Sequence, residues 1–290
     1  MMQFGNVCIV GPGLIGGSIG LAIKRRNLAD TVIGVGHRAS SLESALKIGA
    51  IDVGHLSIDN AVKNADIVIL ATSVSKIIEY AEKVLPLMKS NSVLTDVGST
   101  KSYIVQQITK NMRDDVVFVG SHPIAGSEKR GVDHASPDLF EGCICFITPF
   151  NNNKEKAVET ISNLWSFLGA KVKNISPERH DELLAYVSHL PHLIASCLIN
   201  VIGEDDLMYG AAGLKDTTRV ASGDPELWRD IFDQNRENMI KSIDRFMAEL
   251  TEFKNDLISG NNDMILNRLK KAKISRDGIF HNNPRVHDDE

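Results

Sequence analysis

The run VCIVGPGLIGGS, Val7 to Ser18, constrains this chain more than any other stretch. A short β-branched segment passes directly into Gly11, Gly13 and Gly16, spaced G-x-G-x-x-G, and then into a helical pattern from Leu14 to Lys24. In such a unit the first glycine permits a tight turn, the second lets a pyrophosphate approach the backbone, and the third lets the helix pack on the strand. The spacing alone is weak, since a purely structural glycine turn can produce it. At the head of a strand-helix series it reads as a dinucleotide-binding loop, with Leu14 and Ile15 at the helix start beside the ligand.

The series does continue. VIGV (32–35), DIVIL (66–70), SVLTDV (92–97), VVFV (116–119), CICFIT (143–148) and KVKNI (171–175) alternate with helical patterns such as Ser41 to Ile48 and Ser75 to Met88. This alternation predicts a parallel sheet covered by helices on both faces. From Ser176 the strands stop: Ser176 suits an N-cap, Pro177 suits the first helical position, and further helical patterns run over 226–258 and 261–274. The expected fold is therefore α/β, with an N-terminal Rossmann-type dinucleotide-binding domain over 1–177 and an all-α domain over 178–290. The tail from Asp277 lacks periodicity and is expected to be mobile.

A length of 290 residues with 43% hydrophobic content supports two cores. A formal charge of −5 and a pI near 6.0 exclude a general nucleic-acid binder, which would carry a basic face. Lys270, Lys271 and Lys273 beside Arg268 read as a solvated helix end. Four cysteines, with only Cys143 and Cys145 close together on one face of a strand pattern, fit reduced thiols in a cytoplasm. The apolar N-terminal run has its charges, Lys24, Arg25 and Arg26, after it, the reverse of a signal peptide. No other stretch reads as long and apolar enough to span a membrane, and the expectation is a soluble cytoplasmic protein.

Cofactor choice turns on the end of the second strand, VIGVGHRASS. Gly36 stands where an NAD-binding protein usually carries a carboxylate for the ribose 2′-hydroxyl, and His37, Arg38, Ser40 and Ser41 follow. An arginine with nearby hydroxyls can take a 2′-phosphate, so NADP is favoured over NAD.

Two segments point to chemistry at the sheet's carboxyl end, where open α/β sheets bind ligands. GSTK (98–101) follows the fourth strand of the pattern, and GSHPIAGSEKRG (120–131) follows the next. His122 can take a hydroxyl proton while hydride leaves the same carbon, with Ser99 holding the hydroxyl; the alternative is a histidine that closes the loop. In YVSHLPHLIAS, the residues Leu183, Val187, Leu190, Ile194 and Cys197 form an apolar face, and Glu182, His189, His192 and Ser196 a polar stripe. Pro191 should kink that helix. His189 and His192 are spaced for a metal, but nothing completes a ligand set, and no metal is expected; the pair reads either as ligand-facing or as satisfied structural histidines. Arg219 suits a bidentate grip on a carboxylate or an ion pair with Asp216, and Trp228 reads as core or interface.

Taken together, GPGLIGGS, DVGSTK, GSHPIAGSEKRG, the His180-Asp181 pair, SHLPH and KDTTRVASGDPELWRDIF resemble the prephenate/arogenate dehydrogenase family of tyrosine biosynthesis, from Asn6 to about Ala272. The resemblance implies that His122 accepts the ring-hydroxyl proton of prephenate or arogenate as hydride passes to the nicotinamide, with loss of carbon dioxide. It implies that Ser99 holds that hydroxyl, that Arg219 and His192 bind the carboxylates, and that His189, Asp216 and Trp228 line or support the site. It further implies a gate formed by Glu128 and His180, and a helical dimerisation domain through which Arg219 and Trp228 serve a neighbouring subunit. Thr72, Ser73 and Val74 stand where members often show a proline, so the loop in which Thr72 and Ser73 would touch the cofactor departs from the pattern. Activity is expected to rise with pH through one group near neutrality. The competing expectations are a β-hydroxyacid dehydrogenase of similar layout and a non-catalytic NAD(P)-binding sensor.

Overall fold

The structure, a computed structural model, describes residues 4–126, 129–150 and 155–281. Eight strands, β1 (Asn6–Val10), β2 (Thr31–Val35), β3 (Val53–His55), β4 (Ile67–Leu70), β5 (Val93–Asp96), β6 (Val117–Pro123), β7 (Ile144–Thr148) and β8 (Lys171–Asn174), form one sheet. Their order is β3-β2-β1-β4-β5-β6-β7-β8, so the chain reverses direction across the sheet between β1 and β4. Helices α1 (Leu14–Arg25) and α5 (Glu155–Phe167) bury Ile19, Ile23, Ile161 and Trp165 on one face. On the other, α3 (Val74–Val84) and α4 (Ser102–Lys110) bury Ile77, Ile104 and Ile108. The basic residues after the glycine loop form ion pairs, Lys24 with Asp52, Arg25 with Asp138 and Arg26 with Glu141.

The sheet departs from the expected parallel arrangement at one place that matters. β6 pairs in parallel with β5 through Val119 and then continues antiparallel to β7, with His122 opposite Phe146. A parallel return needs a long crossover, whereas an antiparallel neighbour does not, and the described residues between β6 and β7 supply no such helix. The three-residue β3 was too short to leave a pattern.

The helical part holds further departures. After α6 (Pro177–Leu184) comes a π-helical turn, Ala185–His189, and then α7 (Leu190–Val201). Ser176 caps α6 as expected, its side chain accepting from the Arg179 backbone N–H. The π turn inserts extra backbone and rotates everything downstream. Val187, assigned to the apolar face, is therefore 63% exposed, and Cys197 is exposed too, while His189 and His192 turn inward and are buried. Pro191 lies in the first turn of α7, where its missing N–H costs little. Pro177–Val201 is also the one helix among the described residues long and apolar enough to cross a membrane by length and composition, against the expectation of none.

The pattern over 226–258 is broken at Asn235, between α10 (Pro225–Gln234) and α11 (Arg236–Ile258). Between α7 and α10 lie α8 (Glu204–Leu207) and α9 (Ala212–Thr218). The last helix, α12 (Asn262–His281), takes in the first residues of the tail expected to be mobile; the rest of that tail lies outside the described residues. The chain divides into two compact units, Met1–Arg236 and Glu237–Glu290. In the second, Gly260 turns the chain with φ +66°, and Arg268, part of the basic cluster, pairs with Glu249, Glu252 and Asp256.

Candidate active site

The glycine loop lies at the reversal of strand order, where open α/β sheets leave a crevice. Gly11 has φ +91°, and a Cβ there would meet the Ala71 carbonyl at 2.8 Å. At Gly16 a Cβ would be 2.3 Å from the Gly11 carbonyl oxygen, so helix and turn touch through that glycine. Gly13 is the opposite case: nothing lies within 4 Å of where its Cβ would point. The open space above Gly13, next to the N-terminus of the twelve-residue α1 that Leu14 and Ile15 begin, fits a dinucleotide pyrophosphate. Thr72 and Ser73, half-buried after β4, flank this loop, with Thr72 Cγ2 2.9 Å from the position of a Gly11 Cβ. At the end of β2, His37, Arg38 and Ser40 are exposed, and Arg38 is the N-cap residue of α2 (Ala39–Lys47).

His122 sits at the far end of β6, buried with 8% exposure. Its Nδ1 lies 2.9 Å from His180 Nε2, and His180 Nδ1 lies 2.8 Å from Asp181 Oδ1. Asp181 is held in turn by the start of α4, accepting from the backbone N–H groups of Lys101 at 2.7 Å and Ser102 at 2.8 Å. Burial pushes the Asp181 carboxyl up, but His180 and these two N–H groups outweigh it and hold it below the usual carboxylate range. An ionised carboxylate only accepts, so His180 carries its proton on Nδ1, accepts at Nε2, and leaves His122 protonated on Nδ1. The free lone pair of His122 is therefore on Nε2.

Burial dominates the titration of every histidine in the cluster. It lowers His122 well below its ordinary value, helped by His180, Lys101 and His189. His180 is lowered by burial against the pull of Asp181, and His189 falls to about 4. His192 is lowered by burial against a hydrogen bond to the Val220 backbone.

Beneath this cluster lies an ion pair with both side chains fully buried. Lys101 Nζ pairs with Asp96 and donates to the Ser121 carbonyl at 2.9 Å, while Asp96 accepts from the Gly98 N–H at 2.8 Å. Ser99 is half-buried in the short loop so pinned, whose other side is tied down by Thr100 donating to Gln234 at 2.6 Å. A buried pair is rarely a net gain in stability, and here it fixes the loop that carries Ser99 beside the strand that carries His122.

Of the residues expected from sequence, the structure brings His122, His180, His189, His192 and Trp228 together. Trp228 stacks on His192 of its own chain at 3.7 Å between ring centroids and 11° between planes, and Gly223 makes room, since a Cβ there would lie 2.5 Å from Trp228 Nε1. Arg219 and Asp216 are exposed, with no ion pair between them among the described residues; the short turn bearing Arg219 packs on α7, the helix of His192. His180, expected to gate the site with Glu128, is fully buried and hydrogen-bonds His122; Glu128 lies outside the described residues. Among the described residues no group of three His, Cys, Asp or Glu side chains is arranged to hold a metal.

Sequence reasoning gave no role to Asp96, Lys101, Asp181, Gln234 or Asn235. Asp96 and Lys101 lie in DVGSTK and Asp181 in the His180-Asp181 pair, so a signal was present. Gln234 and Asn235 lie in a pattern that looked like uninterrupted helix.

The prephenate dehydrogenase nucleotide-binding domain profile matches residues 19–174, and the prephenate dehydrogenase dimerization domain profile matches 176–271. A prephenate dehydrogenase of Bacillus subtilis is 34% identical over 94% of this chain and 76% of its own length. The crystal structure of prephenate dehydrogenase from A. aeolicus in complex with hydroxyphenyl propionate and NAD+ superposes with a TM-score of 0.89 at 34% identity, covering 96% of this chain and 99% of that one. Synechocystis arogenate dehydrogenase superposes with a TM-score of 0.82 at 26% identity, covering 94% and 99%. A nucleotide-binding loop, a buried histidine relay at the sheet's carboxyl end and matches along nearly the whole chain agree: this chain belongs to the prephenate/arogenate dehydrogenase family and is an NAD(P)-dependent oxidoreductase of tyrosine biosynthesis.

Proposed function

We propose that His122 is the base in an oxidative decarboxylation of prephenate or arogenate, with NADP favoured as the oxidant. The observation that carries this reading is the Asp181-His180-His122 chain, which leaves an unprotonated Nε2 on a histidine whose burial keeps it neutral. A bound nicotinamide would supply the hydride acceptor. His122 Nε2 takes the hydroxyl proton of the same carbon, and the ring carboxylate leaves as carbon dioxide while its electron pair completes the aromatic ring. The proton then returns to the phenolate oxygen, so the net products are the phenol, carbon dioxide and reduced cofactor. Ser99 holds the hydroxyl, Arg219 and His192 take the carboxylates, and Asp216, His189 and Trp228 line the site.

The preference for NADP rests on Arg38, His37 and Ser40 at the end of β2, where a carboxylate is missing and Gly36 stands instead. The functional division of the chain falls at 177/178, and the helical part joins two copies in a homodimer. Four cysteines, none of them in a disulfide, suit a cytoplasmic protein. Initial rates for prephenate and arogenate, each crossed with NAD and NADP, test the reading. Carbon dioxide release coupled to cofactor reduction is expected, faster with NADP. Reduction without carbon dioxide release, or none with either acid, would refute the assignment, and a clear preference for NAD would refute the cofactor choice.

A further inference from the structure

Asn235 interrupts the helical pattern, and its side chain enters the interior instead of facing solvent: it is 3% exposed. As the residue that follows α10, with φ −109° and ψ 27°, it leaves the helical path, and its side chain reaches Asp181 and His189. Its Nδ2 lies 2.8 Å from the Asp181 carbonyl oxygen and 3.2 Å from His189 Nδ1. A carbonyl oxygen can only accept, so the amide must present its NH2 end to this corner, and its second hydrogen is directed to His189. His189 Nδ1 is then the acceptor of the pair. A neutral imidazole that accepts on Nδ1 carries its proton on Nε2.

That Nε2–H has no protein partner among the described residues, although His189 is only 1% exposed. A buried donor without an acceptor is destabilising. Native structures keep such groups for a reason, such as a catalytic role or a bound species. His189 lies beside the ring of Trp228, 6.1 Å between centroids, and near enough to His122 to influence its titration. Burial lowers His189 to about 4, so it is neutral at physiological pH and donates through one nitrogen only.

We infer that Asn235 is a positioning residue that locks His189 as a hydrogen-bond donor, so that the site requires an acceptor oxygen of the carbonyl, carboxamide or carboxylate class on the bound ligand at that point. The site then contains two neutral imidazoles of opposite polarity. His122 Nε2 accepts, fixed through His180 by the Asp181 side chain; His189 Nε2 donates, fixed by an amide anchored on the Asp181 backbone. One residue, Asp181, thus sets both. What the donor faces rests on the function proposed above, whereas the tautomer itself does not.

The test is 15N-imidazole NMR of protein labelled at histidine, without substrate, with His189 assigned by its loss in His189→Gln. The expected spectrum has His189 protonated on Nε2 alone and His122 on Nδ1 alone at neutral pH. In Asn235→Ala the His189 signals should move toward a mixture of tautomers, and kcat/KM should fall at least about tenfold, with Asn235→Ser recovering part of both. Wild-type His189 protonated on Nδ1, or an Asn235→Ala protein with unchanged tautomer, would overturn the inference whether or not the chain turns over prephenate or arogenate. Should Asn235→Ala fail to fold, the wild-type spectrum alone still decides. A correct spectrum with no turnover would instead count against the proposed reaction.

Discussion

Nδ1 of His122 stands 2.9 Å from Nε2 of His180, and this one contact decides which nitrogen of His122 is basic. The proton pattern starts at Asp181, passes through His180, and ends with a lone pair on His122 Nε2. Two consequences can be measured. His122→Asn should lose roughly 10²- to 10⁴-fold in kcat, the usual range for a missing general base, with cofactor affinity by fluorescence titration near wild type. His180→Phe fills the same space without an acceptor and should lower kcat by about 10-fold or more, with little change in cofactor affinity. An active His122→Asn enzyme would end the assignment of the base.

The pH dependence of turnover follows from burial. Neutral His122 is the active form, and burial lowers its pKa well below 6.5. The rise in kcat/KM attributed to His122 should therefore be complete before neutrality and the profile flat above it, rather than rising near neutral pH as sequence alone suggested. An inflection at or above 6.5 that disappears in His180→Phe would contradict this account.

Stability should respond to pH in the same direction. A histidine whose pKa is lower folded than unfolded binds more protons when unfolded, so it destabilises the fold as pH drops below the unfolded value. For His189 the window runs from 6.5 down to about 4. Its full width corresponds to roughly 3 kcal/mol, and His122 and His180 act in the same sense. Urea midpoints measured at falling pH should be constant above about 6.5 and decline below it, with a shallower decline in His189→Gln.

The glycine loop separates folding from binding. Gly13→Ala introduces a methyl into open space and should change stability by no more than about 0.5 kcal/mol, yet weaken cofactor binding strongly by occupying the approach to the backbone. Gly16→Ala drives a methyl to within 2.3 Å of the Gly11 carbonyl oxygen and should cost about 1–3 kcal/mol of stability as well as binding. Thermal melts paired with cofactor titrations distinguish the two; equal melting losses would show that the space above Gly13 is not open.

Sequence by itself determined what depends on neighbours along the chain. The glycine spacing, the alternation of strand and helix patterns up to Asn174, the Ser176 cap and the motif around His122 were all legible, because a turn, a cap or a period needs only a few adjacent residues. Tertiary structure alone decided which way β7 runs, that a π turn swings His189 and His192 inward, and that Asn235 breaks a helix to reach Asp181. It also decided that His180 supports His122 from the interior. The partners in those contacts are separated by up to 58 residues, and no local pattern records a hydrogen bond between residues so far apart. A histidine's chemistry is set by the atom that meets its other nitrogen, and only the folded chain supplies that atom.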